Sequence, residues 1–106
     1  MSKTFRRFEL LLPLRLNDGQ PVAELAIADT LLELRARFGA VSCETQVIRG
    51  MWQQRGQVYR DDPVKVFVDT PDTPENLQFF LDYKEELKLR FQQLEIWMIT
   101  YAITVL

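Results

Sequence analysis

Asp61 and Asp62 stand side by side in the stretch RGMWQQRGQVYRDDPVKVFVD, residues 49–69, three and four residues ahead of Lys65, with Glu44 on the preceding segment. Carboxylates beside a lysine could hold Mg²⁺ and steady a phosphate, the requirements of metal-dependent phosphodiester cleavage. The spacing works against it. Neighbouring residues on a strand point to opposite faces, so Asp61 or Asp62, not both, can share a surface with Glu44. RDDP reads more simply as a solvated strand entrance whose charges discourage edge pairing.

A second grouping is aromatic and basic: Trp52, Tyr59, Trp97 and Tyr101 with Arg49, Arg55 and Arg60. Aromatics on a sheet near arginines are how RNA-recognition domains stack bases. Here the K/R-G-F/Y signature of such domains is missing, and a net charge of −2 offers no general attraction to a polyanion, so nucleic acid is not an expected partner. These rings are better suited to a core or an interface.

The chain has one cysteine, Cys43, and no histidine. The first fact excludes an internal disulfide and a cysteine-built zinc site, and favours a reducing, cytoplasmic location. The second removes Ser-His-Asp and Cys-His catalysis, histidine general bases and histidine metal sites. Cys43 shares strand parity with Val41 and Val47, so a buried, inert thiol is expected. DTPDTPEN could seat an anion at a helix start, but Asp69, Asp72 and Glu75 would repel one. No glycine-rich phosphate loop is present and no cofactor is expected.

The elements that must position these residues follow from periodicity. FRRFELLLPLRL alternates at Phe8, Leu10, Leu12 and Leu14, a half-buried strand, and NDGQP at 17–21 ends it in a turn. Ile27, Leu31, Leu34 and Phe38 fall at helical spacing, with Leu25, Ala28 and Leu32 widening the stripe, and Gly39 is a natural stop. Alternation resumes at Val41, Cys43, Thr45 and Val47 until Ile48 and Gly50 disturb it, which predicts a bulge near Gly50. QQRGQ then makes a hairpin turn with Gly56 in the left-handed position, bringing Trp52 and Tyr59 together as a cross-strand pair. The return strand places Val64, Val66 and Val68 opposite in parity to Lys65, Phe67 and Asp69, and Pro63 weakens pairing around DDP.

Thr73, Pro74 and Glu75 open a second helix carrying Phe80, Tyr83, Leu87, Phe91 and Leu94 inward. The last strand, in LEIWMITYAITVL, is apolar on both parities. Lys3, Arg6 and Arg7 ahead of an apolar run resemble the start of a signal peptide, but Glu9, Pro13 and Arg15 interrupt it. No apolar run reaches the roughly 18 residues of a membrane helix, so no membrane partner is expected.

The order β-α-β-β-α-β is that of a ferredoxin-like α+β sandwich: a four-stranded antiparallel sheet of order 4-1-3-2 with two helices on one face, one domain over residues 1–106. Whichever way the last strand turns, apolar side chains remain on the uncovered face, drawn from Trp52, Tyr59, Phe67, Trp97, Met98 and Tyr101. Such a patch suits a homodimer or another protein. The expected function is therefore a non-enzymatic interaction or regulatory domain. Its alternatives are a small-ligand sensor with a pocket at the dimer seam and the metal-dependent enzyme of Glu44 with Asp61 or Asp62.

Overall fold

A computed structural model describes residues 3–45, 48–52, 57–61 and 63–106, with backbone alone for 3, 48–52 and 57–61. In chain order the elements are β1 (Lys3–Leu12), α1 (Glu24–Phe38), β2 (Ser42–Thr45), β3 (Ile48–Trp52), β4 (Gln57–Asp61), β5 (Val64–Pro71), α2 (Pro74–Arg90) and β6 (Trp97–Val105). The main sheet has the order β2-β5-β1-β6, every pair antiparallel. This is the ferredoxin-like arrangement, with the Cys43 strand and the closing strand at the edges. Strands β3 and β4 form a separate two-stranded ribbon between β2 and β5.

Alternation decides which face of the sheet meets the helices. Phe8, Leu10 and Leu12 of β1 and Val64, Val66 and Val68 of β5 all turn to one side and are buried. Leu34 from α1 and Phe80, Tyr83 and Leu87 from α2 close over them, with Phe91 and Ile96 completing the cluster. Phe8 stacks on Phe80 at 4.0 Å between ring centroids. Burying each such ring or leucine contributes about 1.5–3 kcal/mol, so this single face supplies most of what holds helices to sheet.

The helix boundaries have local causes. Thr73 caps α2 by accepting a hydrogen bond on Oγ1 from the Asn76 amide at 3.2 Å, and Pro74 follows at the first helical position. Gly39 ends α1 at φ 85°, donating its amide to the Arg35 carbonyl. In the 17–21 turn Gly19 takes φ 88°, and the Gln20 amide donates to the Asp18 carboxylate at 3.0 Å.

The weak pairing expected around DDP is found, since β5 begins at Val64, directly after Pro63. Other expectations fail. The bulge is absent: Gly50 pairs one to one with Tyr59, and the pairing count from Thr45↔Val64 continues unchanged into Ile48↔Asp61. The same register sets Trp52 opposite Gln57, so Trp52 and Tyr59 are not directly opposed. The turn with Gly56 and the alternation at Val47 lie outside the described residues.

Leu25 and Leu32 do not widen the buried stripe of α1 but stand 73% and 61% exposed. At about 100° per residue they fall near the far side from Ile27, Leu31, Leu34 and Phe38. Leu94 lies beyond the end of α2 and is exposed, as is Leu14 beyond β1. Cys43 is exposed on an edge strand rather than buried. No described helix is long and apolar enough to cross a membrane.

Candidate functional site

The face of the sheet away from the helices is built from the other parity. Arg7, Glu9 and Leu11 of central strand β1 lie between Lys65, Phe67 and Asp69 of β5 and Trp97, Ile99 and Tyr101 of β6. Glu44 extends the row on β2, opposite Lys65. Because β1 is central, its polar side chains have a neighbour strand on both sides, and their charges are matched across the ladder.

Glu9 is the focus. Its side chain is only 13% exposed, and its Oε1 accepts a hydrogen bond from the Tyr101 hydroxyl at 2.6 Å while Lys65 Nζ lies 3.5 Å away. Lys65 also reaches Glu44, at 3.6 Å. The Glu9 carboxylate, by accepting that hydrogen bond, raises the Tyr101 phenol above its ordinary range; desolvation adds to the shift and Arg7 opposes it. Tyr101 therefore stays protonated and donates.

One row further along β1, Arg7 grips Asp69 with two hydrogen bonds, Nε to Oδ1 at 2.7 Å and Nη2 to Oδ2 at 2.9 Å. That bidentate pair raises the guanidinium's already high pKa, so its charge is permanent. Arg7 also lies 4.5 Å over the Phe67 ring, and Lys65 sits 5.7 Å from the same ring. Phe67 is thus a half-buried apolar floor flanked by two cations.

In the other direction the face runs into a cleft of about 190 Å³, lined by Leu11, Pro13, Pro63, Gln93, Glu95, Ile96 and Trp97. Trp97 is 62% exposed beside it. The result is a continuous strip: an apolar cleft with an indole, then a buried carboxylate with a phenol and an ammonium, then an arginine–aspartate clamp. Such a strip can orient a small molecule that carries both an apolar ring and charges of both signs.

The residues singled out from sequence divide between this strip and elsewhere. Phe67, Trp97 and Tyr101 belong to it. Met98 does not, since it turns to the other face and packs against the core. Trp52 and Tyr59 lie on the ribbon, and nothing is described of their side chains.

The metal set does not assemble. Glu44 is held opposite Lys65 in the main sheet, Asp61 pairs with Ile48 in the ribbon four register positions away, and Asp62 lies outside the described residues. No group of three or more cysteine, aspartate or glutamate side chains suited to a metal occurs among the described residues.

Glu9, Arg7, Lys65 and Asp69 were legible only as the polar parity of their strands, and Gln93 and Glu95 as the end of a helix. Their meeting depends on β1 being flanked by β5 and β6, partners 58 and more residues away in sequence at Glu9, as Glu9↔Phe67 and Glu9↔Ile99.

No protein-family model matches the chain. No curated protein matches it in sequence. Among solved structures, a phage SAM lyase in complex with S-methyl-5'-thioadenosine shares its fold with a TM-score of 0.63, at 16% identity, over 95% of this chain and 90% of that one. A phage SAM lyase in the apo state matches with a TM-score of 0.52, at 20% identity, over 98% of this chain and 90% of that one. At such identities the likeness is one of fold.

These neighbours overturn the expectation of a non-enzymatic interaction or regulatory domain, since both are enzymes. The ligand-sensor alternative goes with it, while the phosphodiesterase alternative finds no metal-binding group among the described residues. The expectation had rested on an uncovered apolar face together with missing histidines and motifs, and these bear on association, acid–base and metal chemistry, not on reactions driven by orientation and charge.

Proposed function

We propose that the chain is a lyase that cleaves S-adenosylmethionine (SAM) and releases S-methyl-5'-thioadenosine. The observation that carries this is the strip on the open sheet face, an apolar cleft running into the Glu9–Tyr101–Lys65 cluster, on a fold shared with SAM lyases along nearly the whole chain.

The product named in the neighbour keeps the methyl and the 5'-adenosyl group on sulfur, so the bond that breaks joins sulfur to Cγ of the methionine portion. The sulfonium is already a good leaving group. The substrate's own carboxylate oxygen bonds to Cγ, the S–Cγ electron pair goes to sulfur, and a five-membered homoserine lactone closes. No water or proton is consumed, and charge balances: a sulfonium and a carboxylate disappear together.

That charge cancellation tells which contacts help. A protein carboxylate held against the sulfonium would stabilise the ground state more than the transition state. Apolar surroundings favour the loss of charge, which suits Phe67 and Ile99 near the reacting centre. Glu9 is better employed on the α-ammonium, whose charge persists throughout, with Tyr101 and Lys65 fixing the carboxylate. The arrangement orients the tail for closure, the kind of help that proximity alone makes large.

The reaction is tested by incubating the purified chain with SAM in D₂O and resolving the products. S-Methyl-5'-thioadenosine and homoserine lactone without carbon-bound deuterium are expected. Vinylglycine in place of the lactone would point to elimination across Cβ–Cγ instead, and unconsumed SAM would overturn the assignment.

We also propose that the chain works in the cytoplasm, where SAM is made and a lone cysteine stays reduced. Two copies pair along edge strand β6 at the end away from the cleft, where Val105 and Leu106 leave apolar surface in water.

A further inference from the structure

We propose that the cleft beside Trp97 is the purine subsite of the substrate, an inference that rests on the SAM-lyase assignment above. Its size decides what it can hold. A volume of about 190 Å³ is below the roughly 300 Å³ at which pockets begin to enclose whole small-molecule ligands. It is somewhat larger than the ~150 Å³ cavity that takes a single benzene ring. One bicyclic heterocycle fits; the ribose and the methionine tail must lie outside.

The lining matches a base rather than a tail. Leu11, Pro13, Pro63 and Ile96 make apolar walls, and Trp97 presents an exposed indole for stacking. Gln93 supplies the polar contact. Its Nε2 gives one of its two hydrogens to the Phe91 carbonyl at 3.2 Å, which holds the amide in place and leaves its oxygen as an acceptor for a base in the cleft. A 6-amino group is a donor that meets this acceptor; a 6-oxo group is not. Glu95, at the rim, is held by Lys84 at 2.9 Å and by the Ile96 amide at 3.0 Å, and is positioned to accept from ribose hydroxyls.

Direction follows from register. Leu11 and Trp97 are opposite each other, and the next rows on the same face are Glu9 with Ile99 and then Arg7 with Tyr101. Rows of one face are about 7 Å apart. A base seated at Trp97 therefore sends its 5'-substituent along the sheet to the charged cluster, placing the sulfonium over Ile99 and the amino-acid end at Glu9.

The test is calorimetric titration of wild type, Trp97→Ala, Trp97→Phe and Gln93→Ala with S-methyl-5'-thioadenosine and with its 6-oxo analogue, S-methyl-5'-thioinosine. SAM turnover is measured on the same samples and circular dichroism reports folding. Trp97→Ala should weaken binding of the adenine compound about ten- to a hundredfold, while Trp97→Phe, which keeps an aromatic face, stays within about tenfold of wild type. Wild type should prefer the amino over the oxo compound, and Gln93→Ala should erase that preference. Wild-type affinity and KM in a folded Trp97→Ala protein that still cleaves SAM would overturn the subsite and leave the lyase assignment standing. A wild type that neither binds the adenine compound nor consumes SAM would overturn both.

Discussion

Glu9 shows how little of a site a single position reveals. In the sequence it is a charge interrupting an apolar strand; in the fold it is a nearly enclosed carboxylate with a phenol at 2.6 Å and an ammonium at 3.5 Å. Glu9→Gln keeps the shape and removes the charge, so kcat/KM for SAM should fall about ten- to a hundredfold with secondary structure unchanged by circular dichroism. Tyr101→Phe keeps the carboxylate and should cost only a few-fold. Equal losses for the two variants would mean that Tyr101 touches substrate itself. Phe67 was visible as surplus to the core by strand parity, whereas the last strand, apolar on both parities, left Trp97 and Tyr101 or Met98 as alternatives. Their charged companions were not visible, because a pairing across 58 or more residues at Glu9 leaves no local trace.

Among the elements, α1 and α2 are joined by more than their apolar faces. Tyr83 donates to Glu33 Oε1 at 2.6 Å, and Arg90 donates to Glu33 Oε2 at 2.8 Å and to Thr30 Oγ1 at 2.9 Å. Thr30 is buried, and its hydroxyl donates a hydrogen bond to the Ala26 carbonyl. Burial and the Glu33 hydrogen bond push the Tyr83 phenol up, while Arg90, opposed by desolvation and helped by Tyr83, holds the Glu33 carboxyl below the usual range. A carboxyl whose folded pKa is depressed stabilises the protein above its unfolded value of about 4.3 and loses that contribution as pH falls through the folded value. Glu33→Gln should therefore flatten the acid limb of stability below about pH 4.3, by under about 1 kcal/mol because the carboxylate is part exposed, as read by urea denaturation at several pH values. Tyr83→Phe should cost about 0.5–1.5 kcal/mol at neutral pH. Helix periodicity located both elements and their caps, Thr73 and Gly39. It overstated the inner face of α1, since Leu25 and Leu32 count as apolar at any angle, and it could not foresee a threonine facing inward until Arg90 arrives to meet it.

At the scale of the molecule, pairing of two copies through β6 should appear in light scattering as a mass near 25 kDa, twice the chain's 12.5 kDa. Val105→Asp should shift it toward the monomer on dilution; a monomer at every concentration would remove self-association from the proposal. The strand order itself was legible because six alternating segments admit few topologies. The split of the middle strands was less so, since Pro63 marks a weak point without saying that pairing will divide there. One further consequence lies in the seam where β1 meets β6. Lys3 stands opposite Val105, so the innermost strand of the sheet receives its second neighbour from the far end of the chain. During synthesis, the helices and three strands can assemble while one side of β1 is still an unpaired ladder, available to any passing strand. Completion waits on residues 97–105, which makes slow, long-range closure the step most exposed to misassociation. The same adjacency means that a short peptide linking Val105 to Lys3, with a new opening cut in a surface loop such as 17–21, would turn that slow closure into a local hairpin.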